Sequence, residues 1–283
     1  MKTLNPRFFG QKVRCLVYLL LFSGGNLYSM NPDREYTLTP DSLGLNFESV
    51  YIKTSDGFDL NTWIYLPESE KENNYVLILA YPDKGNMSYF VYHAATLAAA
   101  GFTVVTFDYR GFGKSSDFPI NSDFLYHTEF TKDLVAVVNE IDNKFPQKKI
   151  GAWAMSMGTI VVTRSMEQLN NKIDFIVSEG FVTNTSMIVE RIAEQKNEIV
   201  VLPESHKEYK KNLSKLKVPL LILSASNDQL TKAEDAINLK KNNPGDIEVV
   251  VYEGTHLTGF QAGEGSFGQF YVEEINEFVD KSF

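Results

Sequence analysis

Three polar residues in the second half of the chain have the types and order needed for acyl transfer. Ser156 stands in "AMSMG" (154–158), Asp228 in "SNDQLT" and His256 in "GTHLTG". A serine hydroxyl is a poor nucleophile at neutral pH. It needs an imidazole to take its proton, and the imidazole needs a carboxylate to fix its tautomer and stabilise its charged form. Ala154 and Gly158, two residues to either side of the serine, suit a sharp strand-to-helix turn that exposes the hydroxyl. A helix starting there would aim its N-terminus at developing negative charge. Small-x-Ser-x-Gly alone is a weak signal and gains force from the other two residues. Glu179 and Asp235 compete with Asp228 for the role of acid, and Asp228 is favoured because its loop directly follows an apolar run. His93 and His127 fall within helical patterns and His206 within a charged stretch. Four histidines without a close-spaced pair give no metal site.

The elements that must position these residues follow from the apolar pattern. "FESVYIKTSDGFDLNTWIYLP" reads as two alternating runs joined by Ser55-Asp56-Gly57, a β-hairpin. "YVLILAYP", "FTVVTFD", "KIGAWAM", "IDFIVSEG", "VPLLILSAS" and "IEVVVYEG" are apolar runs of strand length. Helical patterns separate most of them, at 86–101, 123–145, 157–169, 232–241 and 268–282. Residues 181–217 break the rhythm with a charged, partly amphipathic excursion. The expected fold is α/β: a mostly parallel central sheet covered by helices on both faces, with an N-terminal β-hairpin and a small helical cap at about 181–217. Chemistry in such sheets sits at the carboxyl ends of the strands, and Ser156, Asp228 and His256 each follow one.

With "AMSMG", the later Asp228 and His256, and the strand end and turn "FDYRGFGKSS" (107–116), the chain resembles the α/β-hydrolase superfamily, in its Bem46-like, serine-aminopeptidase-like esterase branch. The resemblance covers nearly everything after residue 46. It implies an oxyanion hole made of two backbone N–H groups. One would come from Met157, after the nucleophile, and the other from the loop "AYPDKGN". That loop carries Tyr81-Pro82 where the family usually has His-Gly. Proline has no N–H, so Asp83 or a neighbour is the expected donor. Tyr89, Phe90 and Tyr92 follow this loop and could line an acyl pocket or pack in the core.

The 283 residues are 43% hydrophobic and 22% charged, with a formal net charge of −9. An acidic surface argues against binding a phosphate backbone. In the first thirty residues Lys2, Arg7, Lys12 and Arg14 precede an apolar run from Cys15 to Phe22 that is too short to span a bilayer, and Ser23, Gly24, Gly25 and Ser29 follow. This reads as a signal peptide over 1–29 and export from the cytoplasm, with an uncleaved N-terminal anchor as the alternative. Residues 30–45 would form an extended lead-in, and 46–283 the hydrolase domain. Removal of Cys15 would leave no thiol for disulfides or thiolate metal sites. The expected activity is that of a serine hydrolase on a carboxylic ester of small or medium size, without cofactor, metal or stable membrane insertion. An aminopeptidase-like enzyme, with Glu190 or Glu194 binding the amine, and a non-catalytic binding protein remain as alternatives.

Overall fold

A strand buried on both faces must be apolar at nearly every position, and the apolar runs do form the centre of the sheet. The computed structural model describes residues 30–169, 171–196, 199–243 and 245–283. A two-residue strand β1 (Asn31–Pro32) precedes the hairpin β2 (Phe47–Lys53) and β3 (Asp59–Tyr65), then β4 (Tyr75–Ala80) and a second short strand, β5 (Lys84–Gly85). Helix α1 (Val91–Ala99), β6 (Thr103–Phe107), α2 (Phe130–Lys144), β7 (Lys149–Met155), α3 (Met157–Leu169) and β8 (Phe175–Glu179) continue the alternation. Helices α4 (Thr185–Lys196) and α5 (His206–Leu213) lead to β9 (Leu220–Ala225), α6 (Ala233–Asn242), β10 (Ile247–Tyr252) and α7 (Gln269–Ser282). The expected signal peptide, with Cys15, lies outside the described residues.

The main sheet runs β10-β9-β8-β7-β4-β6-β3-β2. Neighbours from β6 to β10 pair in parallel, whereas β3 joins β6 and β2 joins β3 antiparallel. The chain leaves β4 for β6 on one side and returns to β7 on the other. That reversal opens a crevice at the carboxyl ends of β4 and β7. Helix α2 packs on α3, and α5 packs on α3 in turn. Gly268, which caps the start of α7, closely approaches Thr96 of α1. Trp153 of β7 is buried beneath α7, where its Nε1–H donates to the Tyr271 hydroxyl at 3.0 Å. Among the described residues no helix is long and apolar enough to cross a membrane.

Three segments depart from the pattern reading. The helix expected over 123–145 begins only at Phe130. Before it, the chain turns so that the Asn121 N–H donates to His127 Nε2 at 3.1 Å. The first turn expected of the helix at 86–101 is a 3-10 helix, Met87–Phe90. The lead-in at 30–45 contains a strand, β1, that pairs in parallel with β5 inside the loop after β4. The excursion at 181–217 does hold two helices, and it is bound down along α3. Tyr209 OH donates to Val182 O at 2.5 Å, and Arg164 meets both oxygens of Glu204 at 2.6 and 2.7 Å.

Candidate active site

Ser156 is the single residue between β7 and α3, and its φ is 50°. A non-glycine residue held in the left-handed region is strained, which marks the turn as a place where conformation is imposed by its surroundings. The Ser156 N–H donates to Glu179 O at 3.0 Å, and its carbonyl accepts from the Thr159 N–H and hydroxyl. The small flanking residues have a direct cause. Ala154 is fully buried and registers between Ala80 of β4 and Ser178 of β8. A Cβ on Gly158 would stand 1.8 Å from the carbonyl oxygen of Ala80. The end of β4 therefore abuts the start of α3, and any side chain at 158 would force them apart.

His256 and Asp228 arrive from β10 and β9. His256 Nε2 lies 3.0 Å from Ser156 Oγ, and Nδ1 lies 2.7 Å from Asp228 Oδ2. With the Nδ1 proton donated to the carboxylate, Nε2 is left as an acceptor for the serine hydroxyl. Burial pushes the Asp228 carboxyl up, but the hydrogen bond and charge of His256 and the hydrogen bonds from Thr231 outweigh it and hold the carboxyl below its ordinary range. Asp228 Oδ1 accepts from the N–H groups of Leu230 and Thr231 at 2.8 and 3.0 Å, and Oδ2 from the Thr231 hydroxyl at 2.6 Å. The rival carboxyls are engaged elsewhere. Asp235 pairs with Arg191 at 2.5 Å, and Glu179 accepts from the Tyr252 hydroxyl at 2.6 Å and the Gly259 N–H at 2.7 Å. Thr231 is a partner that the strand-end pattern does not point to, although Asp-x-x-Thr is a local pattern in which the hydroxyl and N–H can bond back to the carboxylate.

On the facing side, Tyr81 is fully buried, and its hydroxyl accepts from the Tyr109 N–H at 3.2 Å. The Tyr-Pro departure thus puts an aromatic into the core at this position. Met157 opens α3, so its N–H has no intrahelical acceptor. The loop from Tyr81 to Asn86 is held by the lead-in segment. The Asn31 N–H donates to Asp83 O at 3.0 Å, and the Asp33 N–H to Gly85 O at 2.8 Å. Buried Asn86 donates through Nδ2 to Asp33 O and Glu35 O at 2.9 and 2.7 Å. Tyr36 OH bonds Asp108 Oδ2, whose Oδ1 accepts from the Met87 N–H at 2.9 Å. Tyr89 lies against Gly85 and donates to Asp33 Oδ2 at 3.1 Å. Phe90 packs between Tyr81 and His93, with ring centroids 5.6 and 5.5 Å away, and Tyr92 is half-buried on α1. Tyr89 and Phe90 thus have structural contacts of their own.

A mostly parallel sheet with its reversal at β4 and β7, and a strained serine on the turn after β7, is the arrangement of the α/β-hydrolase fold. The chain has the α/β-hydrolase fold and is similar in sequence to Bem46-like proteins. Residues 85–200 match the family model of serine aminopeptidase, S33. An uncharacterized Escherichia coli O157:H7 protein, YfhR, is 24% identical over 269 residues, which span 93% of this chain and 89% of that one. Protein bem46 of Schizosaccharomyces pombe is 22% identical over 223 residues, 77% of this chain and 70% of that one. Among solved structures, the Pyrococcus furiosus esterase Pf2001 aligns with a TM-score of 0.70 at 20% identity, covering 91% of this chain and 99% of that chain.

Proposed function

We propose that the chain is a serine hydrolase that cleaves a carboxylic ester of small or medium size through an acyl-enzyme on Ser156. The observation that carries this reading is one continuous hydrogen-bond path, Ser156 Oγ to His256 Nε2 at 3.0 Å and His256 Nδ1 to Asp228 Oδ2 at 2.7 Å, ending on a strained turn. His256 takes the serine proton as Ser156 Oγ attacks the carbonyl carbon, then returns it to the leaving alcohol. Water, activated by the same imidazole, releases the acid. Asp228 holds the tautomer and balances the imidazolium. The N–H groups of Met157 and Asp83 receive the oxyanion, a role that backbone donors fill whatever their side chains.

The name of the Pyrococcus relative favours an ester substrate. Apart from residues 187–189 and 199–202, the short excursion after β8 offers little apolar surface to enclose a long acyl chain, and each buried methylene contributes about 0.8 kcal/mol only where protein surrounds it. The family model's name keeps an aminopeptidase in play, with Glu190 or Glu194 of α4 as amine ligands. The test joins active-site labelling to a substrate series. A fluorophosphonate should modify Ser156 alone, and kcat/KM over p-nitrophenyl esters from acetate to palmitate should peak at short or medium chains. A maximum at palmitate, or an amino-acid p-nitroanilide hydrolysed faster than every ester, would refute the esterase reading. Export is the companion proposal. Cells should release a protein whose first residue lies near Met30, and mass spectrometry that finds residues 1–29 in the released protein would refute it.

A further inference from the structure

Glu179, the last residue of β8, is a buried carboxyl that the mechanism above does not use. Its two ends meet the two halves of the reacting pair. Its main-chain carbonyl accepts from the Ser156 N–H at 3.0 Å. Its side-chain Oε1 accepts from the Tyr252 hydroxyl at 2.6 Å and the Gly259 N–H at 2.7 Å. Those two donors stand four residues before and three residues after His256, so they bracket the base along the chain. Between His256 and Gly259 the backbone passes through Leu257, a non-glycine residue at φ 59°. A strained loop of this kind keeps its shape only when its surroundings over-determine it. On the nucleophile's side Gly180, at φ 65°, lets β8 end directly beneath the imidazole. A Cβ there would stand 3.0 Å from His256 Cε1 and 3.2 Å from Leu257 Cδ2.

The other side-chain oxygen, Oε2, is buried and has no hydrogen-bond partner among the described residues. The carboxyl is pushed up by burial, against the hydrogen bonds from Tyr252 and Gly259 and the charge of His256, and nearby Asp228 pushes it the same way as burial. Tyr271 of α7 and Tyr252 of β10 are the remaining titratable groups felt by this carboxyl, and both are themselves pushed up by burial. Two bonds accepted on one oxygen, from residues on either side of the base, hold the loop in place.

We propose that Glu179 is a positioning residue that sets the reach of His256 Nε2 toward Ser156 Oγ by tying the segment 252–259 to the nucleophile turn. This rests on the reading of Ser156 and His256 as nucleophile and base. The test compares the full chain with Glu179→Gln, Glu179→Ala and Tyr252→Phe, measuring fluorophosphonate labelling rate, kcat and KM on a p-nitrophenyl ester, and the pH midpoint of kcat/KM. The amide keeps an acceptor in place of Oε1, so Glu179→Gln should stay within a few-fold of the parent with its pH midpoint unmoved. Glu179→Ala should lose about 10²-fold in kcat with KM unchanged, as expected for misplacement of about an ångström. Tyr252→Phe should fall between the two. Glu179→Ala reacting as fast as the parent would overturn the inference. So would Glu179→Gln as slow as Glu179→Ala with a shifted pH midpoint, since that assigns the effect to charge. If Glu179→Ala does not fold, the other two variants decide, and an unslowed Tyr252→Phe overturns the inference. A folded parent that no fluorophosphonate labels would refute the nucleophile reading, and this inference with it.

Discussion

The two walls of the crevice are built by different means. On one wall Ser156, Asp228 and His256 each leave the carboxyl end of a strand, and β7, β8, β9 and β10 are locked side by side by parallel ladders. The loop after β4, on the other wall, has no such ladder. It leans on residues 31–36, through a two-residue pairing and the side chains of Asn86, Tyr36 and Tyr89. A regular sheet satisfies its own backbone, whereas a loop must borrow partners from wherever the chain can bring them. The borrowed partners here come from more than fifty residues earlier in the chain. The sheet-built wall should therefore fail when a reacting group, or the Glu179 carboxyl that ties its loops together, is removed, and the strapped wall should fail when a bond to a segment remote in sequence is cut.

The largest expected effect is on the sheet-built wall. Ser156→Ala should abolish fluorophosphonate labelling and lower turnover by on the order of 10⁶-fold, while circular dichroism and the melting temperature stay close to the parent's. Asp228→Asn comes next, with a loss on the order of 10⁴ in kcat because the amide favours the wrong imidazole tautomer. Stopped assays on a p-nitrophenyl ester would read both. A smaller loss from Asp228→Asn than from Glu179→Gln would move the acid to β8.

The strapped wall is tested by Asn86→Ala, which removes both bonds to residues 33 and 35 without touching a reacting group. Acylation should slow by about 10–100-fold, less than the ~10²–10³ expected for deleting an oxyanion donor outright. Burst kinetics separate acylation from deacylation. An unslowed Asn86→Ala would show that the loop keeps its shape unaided.

The smallest effect concerns the seam between the walls. His93 of α1 packs against Phe260 and Phe267, which follow His256 in the chain, with ring centroids 4.5 and 5.2 Å away. Burial pushes its imidazole down to about 3, from 6.5 in the unfolded chain. Between those values the unfolded state takes up a proton that the folded state refuses, so the seam loses stability as pH falls below about 6.5. His93→Leu should reduce the drop in melting temperature between pH 7 and pH 4 by a few degrees, measured by differential scanning fluorimetry. An unchanged drop would place the acid sensitivity elsewhere.

The same contrast explains what could be read without the structure. Continuous apolar runs mark β4, β6, β7, β8 and β9, and the residues just past three of the predicted strands are Ser156, Asp228 and His256. Periodicity reaches those residues because burial dictates it. It does not reach Asn31 or Asp33, whose part is played by main-chain N–H groups that every residue but proline carries. The late start of α2 had a similar cause. Residues 123–129 have apolar spacing compatible with a helix, yet they turn to bring His127 beneath Asn121 and to let Leu125 N–H bond Val201 O at 3.0 Å. The two-helix excursion was placed by its charge, while its close docking through Tyr209 and Arg164 depended on partners that no local pattern reveals.

The two described ends of the chain also give the molecule a direction. Met30 is buried, and its N–H bonds Ser122 O, immediately before the strand that pairs beside the Tyr81–Asn86 loop. Phe283 packs against Tyr75 and Phe175, the first residues of β4 and β8, with Lys149, the first of β7, over its ring. One end leaves at the carboxyl edge of the sheet and the other at the amino edge. A tether attached ahead of Met30, whether to a bead, a fused protein or a lipid surface, holds the crevice on the side of whatever it is tethered to. A tether at Phe283 holds the crevice away from its support, facing the bulk.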